Sequence, residues 1–147
     1  MPGDDLKAIL RRFVDEVWNG GNLDAIEQFI APSYVRHDPG LPMELRGPEG
    51  VRQVVTMYRT AFPDLHLELE NVLVEGDRLA LRLTGSGTQR GPLPGIPPTG
   101  RKGSVWAMEI HRFENGKIVE QWVLIDNLTL LQQLGAIPAP SGAGTTA

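Results

Sequence analysis

The sequence predicts one α+β domain, with helices packed on one face of an antiparallel sheet. Apolar residues recur at helical spacing through the first sixty positions, and after residue 64 the period drops from about 3.6 to 2. Asn115-Gly116 then joins two long alternating runs, the pattern of a tight hairpin. The strand-helix-strand alternation of nucleotide-binding folds is absent.

The first helix carries Leu6, Ile9, Leu10, Phe13, Val14, Val17 and Trp18 on one stripe; Asp4 or Asp5 can cap it and Asn19-Gly20-Gly21-Asn22 ends it. A shorter helix groups Leu23, Ile26, Phe29 and Ile30 and stops at Pro32. A third starts at Gly47-Pro48, where proline suits the first turn. It presents Val51, Val54, Val55, Tyr58 and Phe62, and closes at Pro63-Asp64. Strands follow. Leu65, Leu67 and Leu69 alternate with His66, Glu68 and Glu70, and Leu79, Leu81 and Leu83 alternate with charged or small residues beyond the turn at Glu75-Gly76-Asp77. Residues 85–103, rich in glycine and proline, read as a loop or pocket lid. Strands at 104–113 and 117–126 and a helical turn from Leu128 to Leu134 complete a domain of residues 1–138, with 139–147 expected as a disordered tail.

Composition narrows the function. The 147 residues carry a formal charge of −4, from 14 Lys+Arg and 18 Asp+Glu. This balance argues against a phosphate-binding surface as the protein's main role, because counterion release needs clustered cations, and nucleic acid is not expected as a partner. Zero cysteines exclude disulfides and thiolate nucleophiles. No apolar run reaches the ~20 residues of a membrane helix and no export signal is visible, so a cytoplasmic protein without a membrane partner is expected. The three histidines show no ligand spacing, so no metal is expected.

If Glu114 pairs with Lys117 across a two-residue turn, paired positions place Val105, Ala107, Glu109, His111 and Phe113 on one side of the sheet. Ile118, Glu120, Trp122, Leu124 and Asp126 join them. Trp106, Met108, Ile110, Gln121, Val123 and Ile125 then take the other side, and a bulge in either strand would swap part of this assignment. The first side has more ionisable groups than a filled core tolerates, which suggests a sheet curled around a cavity. The other, strongly apolar, reads as a homodimer interface.

Several candidates carry two readings. Asp126 can cap the following helical turn, or act as a desolvated carboxylate that takes a proton α to a carbonyl. Glu109 and His111 are either a carboxylate–imidazole pair for acid/base work or a satisfied structural pair. His37-Asp38 is a substrate-facing pair or a turn before Pro39-Gly40. Trp18 and Trp122 are aromatic walls for a flat, apolar, polycyclic ligand, or core.

Tyr34-Val35-Arg36-His37-Asp38-Pro39, Ala61-Phe62-Pro63-Asp64-Leu65, Gly95-Ile96-Pro97-Pro98-Thr99-Gly100-Arg101, Gly116-Lys117-Ile118-Val119-Glu120 and Gln133-Leu134-Gly135 occur in an order that resembles the SnoaL-like polyketide cyclase family. The resemblance covers residues 6–136 and implies the cone-shaped barrel of the nuclear-transport-factor-2-like superfamily: a curved antiparallel sheet closed by three N-terminal helices around an apolar pocket. It also implies cofactor-free ring closure of a polyketide or ester by acid/base catalysis. Hydroxylation, epoxide hydrolysis or binding without turnover are the alternatives on the same fold. Carried over by position, the family's helix aromatic falls on Trp18 and the polar pair of the penultimate strand on Ala107 and Glu109. The family's acid falls on Val123, with Asp126 the nearest carboxylate.

Overall fold

A computed structural model describes residues 3–138; the tail expected at 139–147 lies outside the described residues. Helix α1 (Gly3–Phe13) continues as a wider, π-helical turn (Val14–Asn19). A single 3-10 turn (Leu23–Ala25) leads into the short α2 (Ile26–Phe29). Strands β1 (Ile30–His37) and β2 (Leu45–Arg46) precede α3 (Gly47–Ala61). Four long strands follow, β3 (His66–Glu75), β4 (Arg78–Thr88), β5 (Lys102–Glu114) and β6 (Lys117–Ile125), and then α4 (Asn127–Gln133).

The six strands form one curved, unclosed sheet in the order β2-β1-β6-β5-β4-β3. The α+β class read from the sequence is what the chain adopts. One strand was not anticipated. Residues 30–37 were read as a helix end and a loop, but they form β1, which lies parallel to β6. Pro32 masks it, because proline removes a ladder donor and is confined to edges and irregular places in sheets. Here the β1–β6 register shifts between Ile30 and Val35, which is where Pro32 falls. β4 and β5 also extend into the glycine-rich stretch, leaving only residues 89–101 as loop.

The concave side of the sheet holds the main core. Leu79, Leu81 and Leu83 of β4 meet Leu6, Leu10, Phe13 and Val17 of the first helix and Val51, Val54 and Val55 of α3, all buried. Truncating such a leucine to alanine typically costs 2–5 kcal/mol, about a third of a domain's stability, so these stripes fix how the helices sit. A smaller cluster of Ala61, Phe62, Leu93, Leu130 and Leu134 packs α4 and the 89–101 loop over one end.

The β5–β6 hairpin turns at Asn115-Gly116 with φ of 51° and 76°, the doubly positive pair that a two-residue turn of this hand requires. Glu114 pairs with Lys117 and Phe113 with Ile118, as expected, but Arg112 then pairs with Glu120. Val119 is an extra residue in β6, and from there every β6 side chain changes sides. Gln121, Val123 and Ile125 turn inward opposite His111, Glu109 and Ala107. Glu120, Trp122 and Leu124, expected beside Glu109, turn outward. No helix of the described residues is long and apolar enough to cross a membrane.

Candidate functional site

A cavity of about 80 Å3, partly open to solvent, lies between the concave face and the helices. Along β5 the inward positions Gly103, Val105, Ala107 and Glu109 line it in turn. Its walls are mostly apolar, with Leu67, Leu83, Phe62, Leu65 and Ile125 among them. At the end away from Glu109 the sheet offers bare backbone. A Cβ on Gly103 would sit 2.6 Å from Leu130 Cδ1, and one on Gly87 would sit 2.9 Å from Phe62 Cβ.

The polar groups gather at the Glu109 end. Glu109 Oε1 lies 2.7 Å from His111 Nε2, and the side chains are 14% and 1% exposed. An ionised carboxylate only accepts, so Nε2 carries the proton and donates it to Glu109. His111 Nδ1 is buried without a hydrogen-bond partner among the described residues, which leaves Glu109 as the partner that orients the ring. Burial pushes the hydroxyl of Tyr34 up to about 12, against the opposing pull of Arg36. The Tyr34 hydroxyl donates to Gln121 Oε1 at 2.6 Å. The Tyr58 hydroxyl, on α3, is likewise raised by burial.

Strand alternation aims Arg36 inward as well, and its guanidinium lines the cavity. Its Nε and Nη2 donate to Asp38 Oδ2 at 3.2 and 3.0 Å, and Asp38 Oδ1 accepts from the Gly40 amide at 3.0 Å. Burial works against the charge of Arg36, but Tyr34, Glu109 and Asp38 outweigh it and hold the guanidinium above its ordinary pKa. The turn reading of Asp38-Pro39-Gly40 was therefore right, and the same turn also clamps a buried cation.

Trp18 reaches the cavity because the helix widens there. In the π-turn the Gly20 amide donates to the Asp15 carbonyl, five residues back, at 2.8 Å. The indole lies 6.2 Å from the Tyr58 ring at 48°, and both line the cavity.

Three sequence candidates sit elsewhere. Asp126 is exposed and caps α4, accepting from the Thr129 amide at 3.1 Å; its hydrogen bonds to Thr129 lower its pKa, opposite to the raised value a cavity acid would have. Trp122 faces outward because of the Val119 bulge, and His37 stacks on it at 5.4 Å, with 22° between the rings. His37 Nε2 also meets Glu120 Oε2 at 2.8 Å on that outer side. The structure thus brings Trp18, Glu109 and His111 together and leaves Asp126, His37 and Trp122 outside. Sequence reasoning missed Arg36, Tyr34, Tyr58 and Gln121 as cavity or near-cavity groups, and it paired Asp38 with His37 where the structure pairs it with Arg36. The alternation Tyr34-x-Arg36-x-Asp38 was the available signal, hidden by reading this stretch as a loop.

The family model for SnoaL-like polyketide cyclases matches residues 8–134. The chain belongs to that family. Among its relatives is the aklanonic acid methyl ester cyclase DauD of Streptomyces sp. (strain C5), 34% identical over 141 residues, covering 91% of this chain and 84% of DauD. The corresponding cyclase DnrD of Streptomyces peucetius is also 34% identical, over 91% of this chain and 94% of its own length. Among solved structures, AclR of Streptomyces galilaeus, a candidate hydroxylase, superposes with a TM-score of 0.84 at 31% identity, covering 99% of this chain and 90% of AclR.

Proposed function

We propose that this SnoaL-like chain is a cofactor-independent polyketide or ester cyclase in which Glu109 is the acid/base. The observation that carries the reading is that Glu109 is the one carboxylate among the described residues lining the apolar cavity. A carboxylate at the wall of a cavity can reach a proton on a bound ligand directly, which is the geometric requirement for a general base. Glu109 takes a proton from the carbon α to a carbonyl. The resulting enolate carbon attacks a second carbonyl of the same molecule and closes the ring, and the new alkoxide recovers the proton from Glu109. His111, hydrogen-bonded to Glu109, fixes the direction of the carboxylate. Trp18 and Tyr58 form a flat wall suited to an apolar, polycyclic aromatic substrate. The relatives DauD and DnrD are named for cyclising aklanonic acid methyl ester, an ester as this reading requires.

The reading includes a cytoplasmic homodimer that buries the convex face of β4, β5 and β6, where Trp106, Met108 and Leu124 are about 60% exposed or more. A concavity on that face is lined by Leu73, Met108, Ile110, Trp122 and Leu124.

The test is turnover of a panel of aromatic polyketide methyl esters by the wild type and Glu109→Gln. Replacing the base is expected to cut the rate roughly 10²–10⁴-fold with binding retained. Unchanged turnover in Glu109→Gln would remove Glu109 from the chemistry, and saturable binding without product in the wild type would make the chain a binding module. A second reading, cofactor-free hydroxylation, is favoured by the likeness to AclR. A hydroxylated rather than ring-closed product would establish it.

A further inference from the structure

We propose that Arg36 is the electrostatic partner of the anion formed in the cavity, and that the chamber therefore selects ligands with an acidic oxygen, such as an enolised β-dicarbonyl or a phenol. The proposal deepens the reading of Glu109 as base and rests on it.

Arg36 is the one cation among the described residues lining the cavity, and its side chain is 3% exposed. A buried guanidinium is costly and needs anionic company. Asp38 supplies part of it, but only along one edge: Nε and Nη2 go to Asp38 Oδ2, while Nη1 takes no part in that clamp. The Gly40 amide fixes the other carboxylate oxygen of Asp38, so the cation is held from behind by a turn that cannot easily rotate away. Glu109 supplies the remaining negative charge felt by Arg36.

Proton transfer changes this balance. When Glu109 takes a proton from the ligand it becomes neutral, and the negative charge passes to the ligand's oxygen. The charge of the chamber as a whole does not change; only its location does. Arg36 is already in place to face the new anion, so no group has to reorganise as the charge moves, which is the condition under which a fixed dipole or charge lowers a barrier most. A ligand without a proton to give leaves the charge on Glu109 and gains nothing from Arg36. The Trp18 and Tyr58 rings carry no charge, so between an acidic ligand and its ether of like shape the acidic oxygen makes the difference.

The probes are 4-nitrophenol, whose absorbance reports its ionisation, and 4-nitroanisole, which cannot ionise, titrated against the full chain across pH. Glu109→Gln stands in for the protonated base. In that variant the bound nitrophenol is expected as the phenolate, with its pKa lowered by about one unit or more, a tenfold change. Adding Arg36→Met with Asp38→Asn, which removes both charges together, is expected to abolish the shift while nitroanisole still binds. A nitrophenol that titrates in Glu109→Gln as it does in free solution overturns the proposal. So does a shift that survives the loss of Arg36, and so does a wild type that binds neither probe. Asp38→Asn added to Glu109→Gln, with Arg36 kept, gives a second reading that does not depend on the triple variant folding. With Arg36 less neutralised, the bound pKa in the Glu109→Gln background should fall further, and a rise refutes the idea. Because these readouts involve no turnover, they separate from the base: Glu109 can fail as the catalyst while Arg36 still shifts the phenol, and the reverse.

Discussion

The two faces of the β4–β5–β6 surface are built from alternate residues of the same strands, yet they solve opposite problems. The concave face surrounds a few ionisable groups with hydrocarbon: Glu109 bonds His111, and Arg36 bonds Asp38. The convex face leaves hydrocarbon to solvent, with Trp106, Met108 and Leu124 exposed, and surrounds it with charge. Arg82 lies 4.4 Å above the Trp106 ring, Arg78 lies 5.2 Å above Trp122, and Arg112 bridges Glu114 and Glu120. Charge on the inside gains strength because water is excluded; on the outside it is screened and mainly keeps the apolar patch soluble. The difference lies in surroundings, because the residue types are shared by both faces.

The largest way to break this contrast is to delete Val119. Removing the bulge would turn Glu120, Trp122 and Leu124 inward and Gln121 and Val123 outward. The loss should exceed the few kcal/mol a domain can spare and abolish the cooperative transition in urea, read by far-UV circular dichroism. Met108→Arg places a charge in the middle of the convex face, and under the proposed homodimer it is expected to convert dimers to monomers with the fold unchanged. An unaltered sedimentation profile would rule out that face as the interface.

Tyr34 sharpens the inner side. Its folded-state pKa of about 12 exceeds the ordinary 10.0, so its contribution to stability is complete below pH 10 and disappears as pH rises toward 12. Two units correspond to roughly 2–3 kcal/mol. The stability advantage of wild type over Tyr34→Phe should therefore shrink across that window in urea titrations. The smallest effect belongs to the outer side. The hydrogen bond from His37, followed by that from Arg112, lowers the Glu120 pKa below 4.5. That contribution is present above pH 4.5 and fades as pH falls through the lowered value. The difference between wild type and Glu120→Gln should vanish in acid, and added salt should reduce it at neutral pH.

How much of this was legible in the sequence follows the same division. Stripes such as Val51-Val54-Val55-Tyr58 announce α3 because a one-sided helix has no other reading, and Asn115-Gly116 announces its turn because few residues accept two positive φ values in succession. The face of β6 was not legible. In Ile118-Val119-Glu120-Gln121-Trp122-Val123-Leu124-Ile125 both alternating sets contain large apolar residues, so the pattern cannot show where an extra residue enters. Glu109 and His111 were found because β5 has no bulge between them and the turn. Trp122 and Asp126 were misplaced because they lie past Val119. Arg36 was missed for a different reason. A parallel neighbour is joined to its partner only through distant chain, and nothing local to residues 30–37 reveals β6 beside them.

The bare backbone at Gly87 and Gly103 bears on how this scaffold can diversify. At those positions the length of the hollow is set by hydrogen atoms where another residue would carry a methyl, with Phe62 and Leu130 as the nearest obstacles. A single Gly→Ala step there would drive its methyl into Leu130 from Gly103 or into Phe62 from Gly87, so those side chains would have to shift to make room. The packing of that end thus rests on β4 and β5, whereas Glu109 and His111 stand farther along β5 and Arg36 stands on β1.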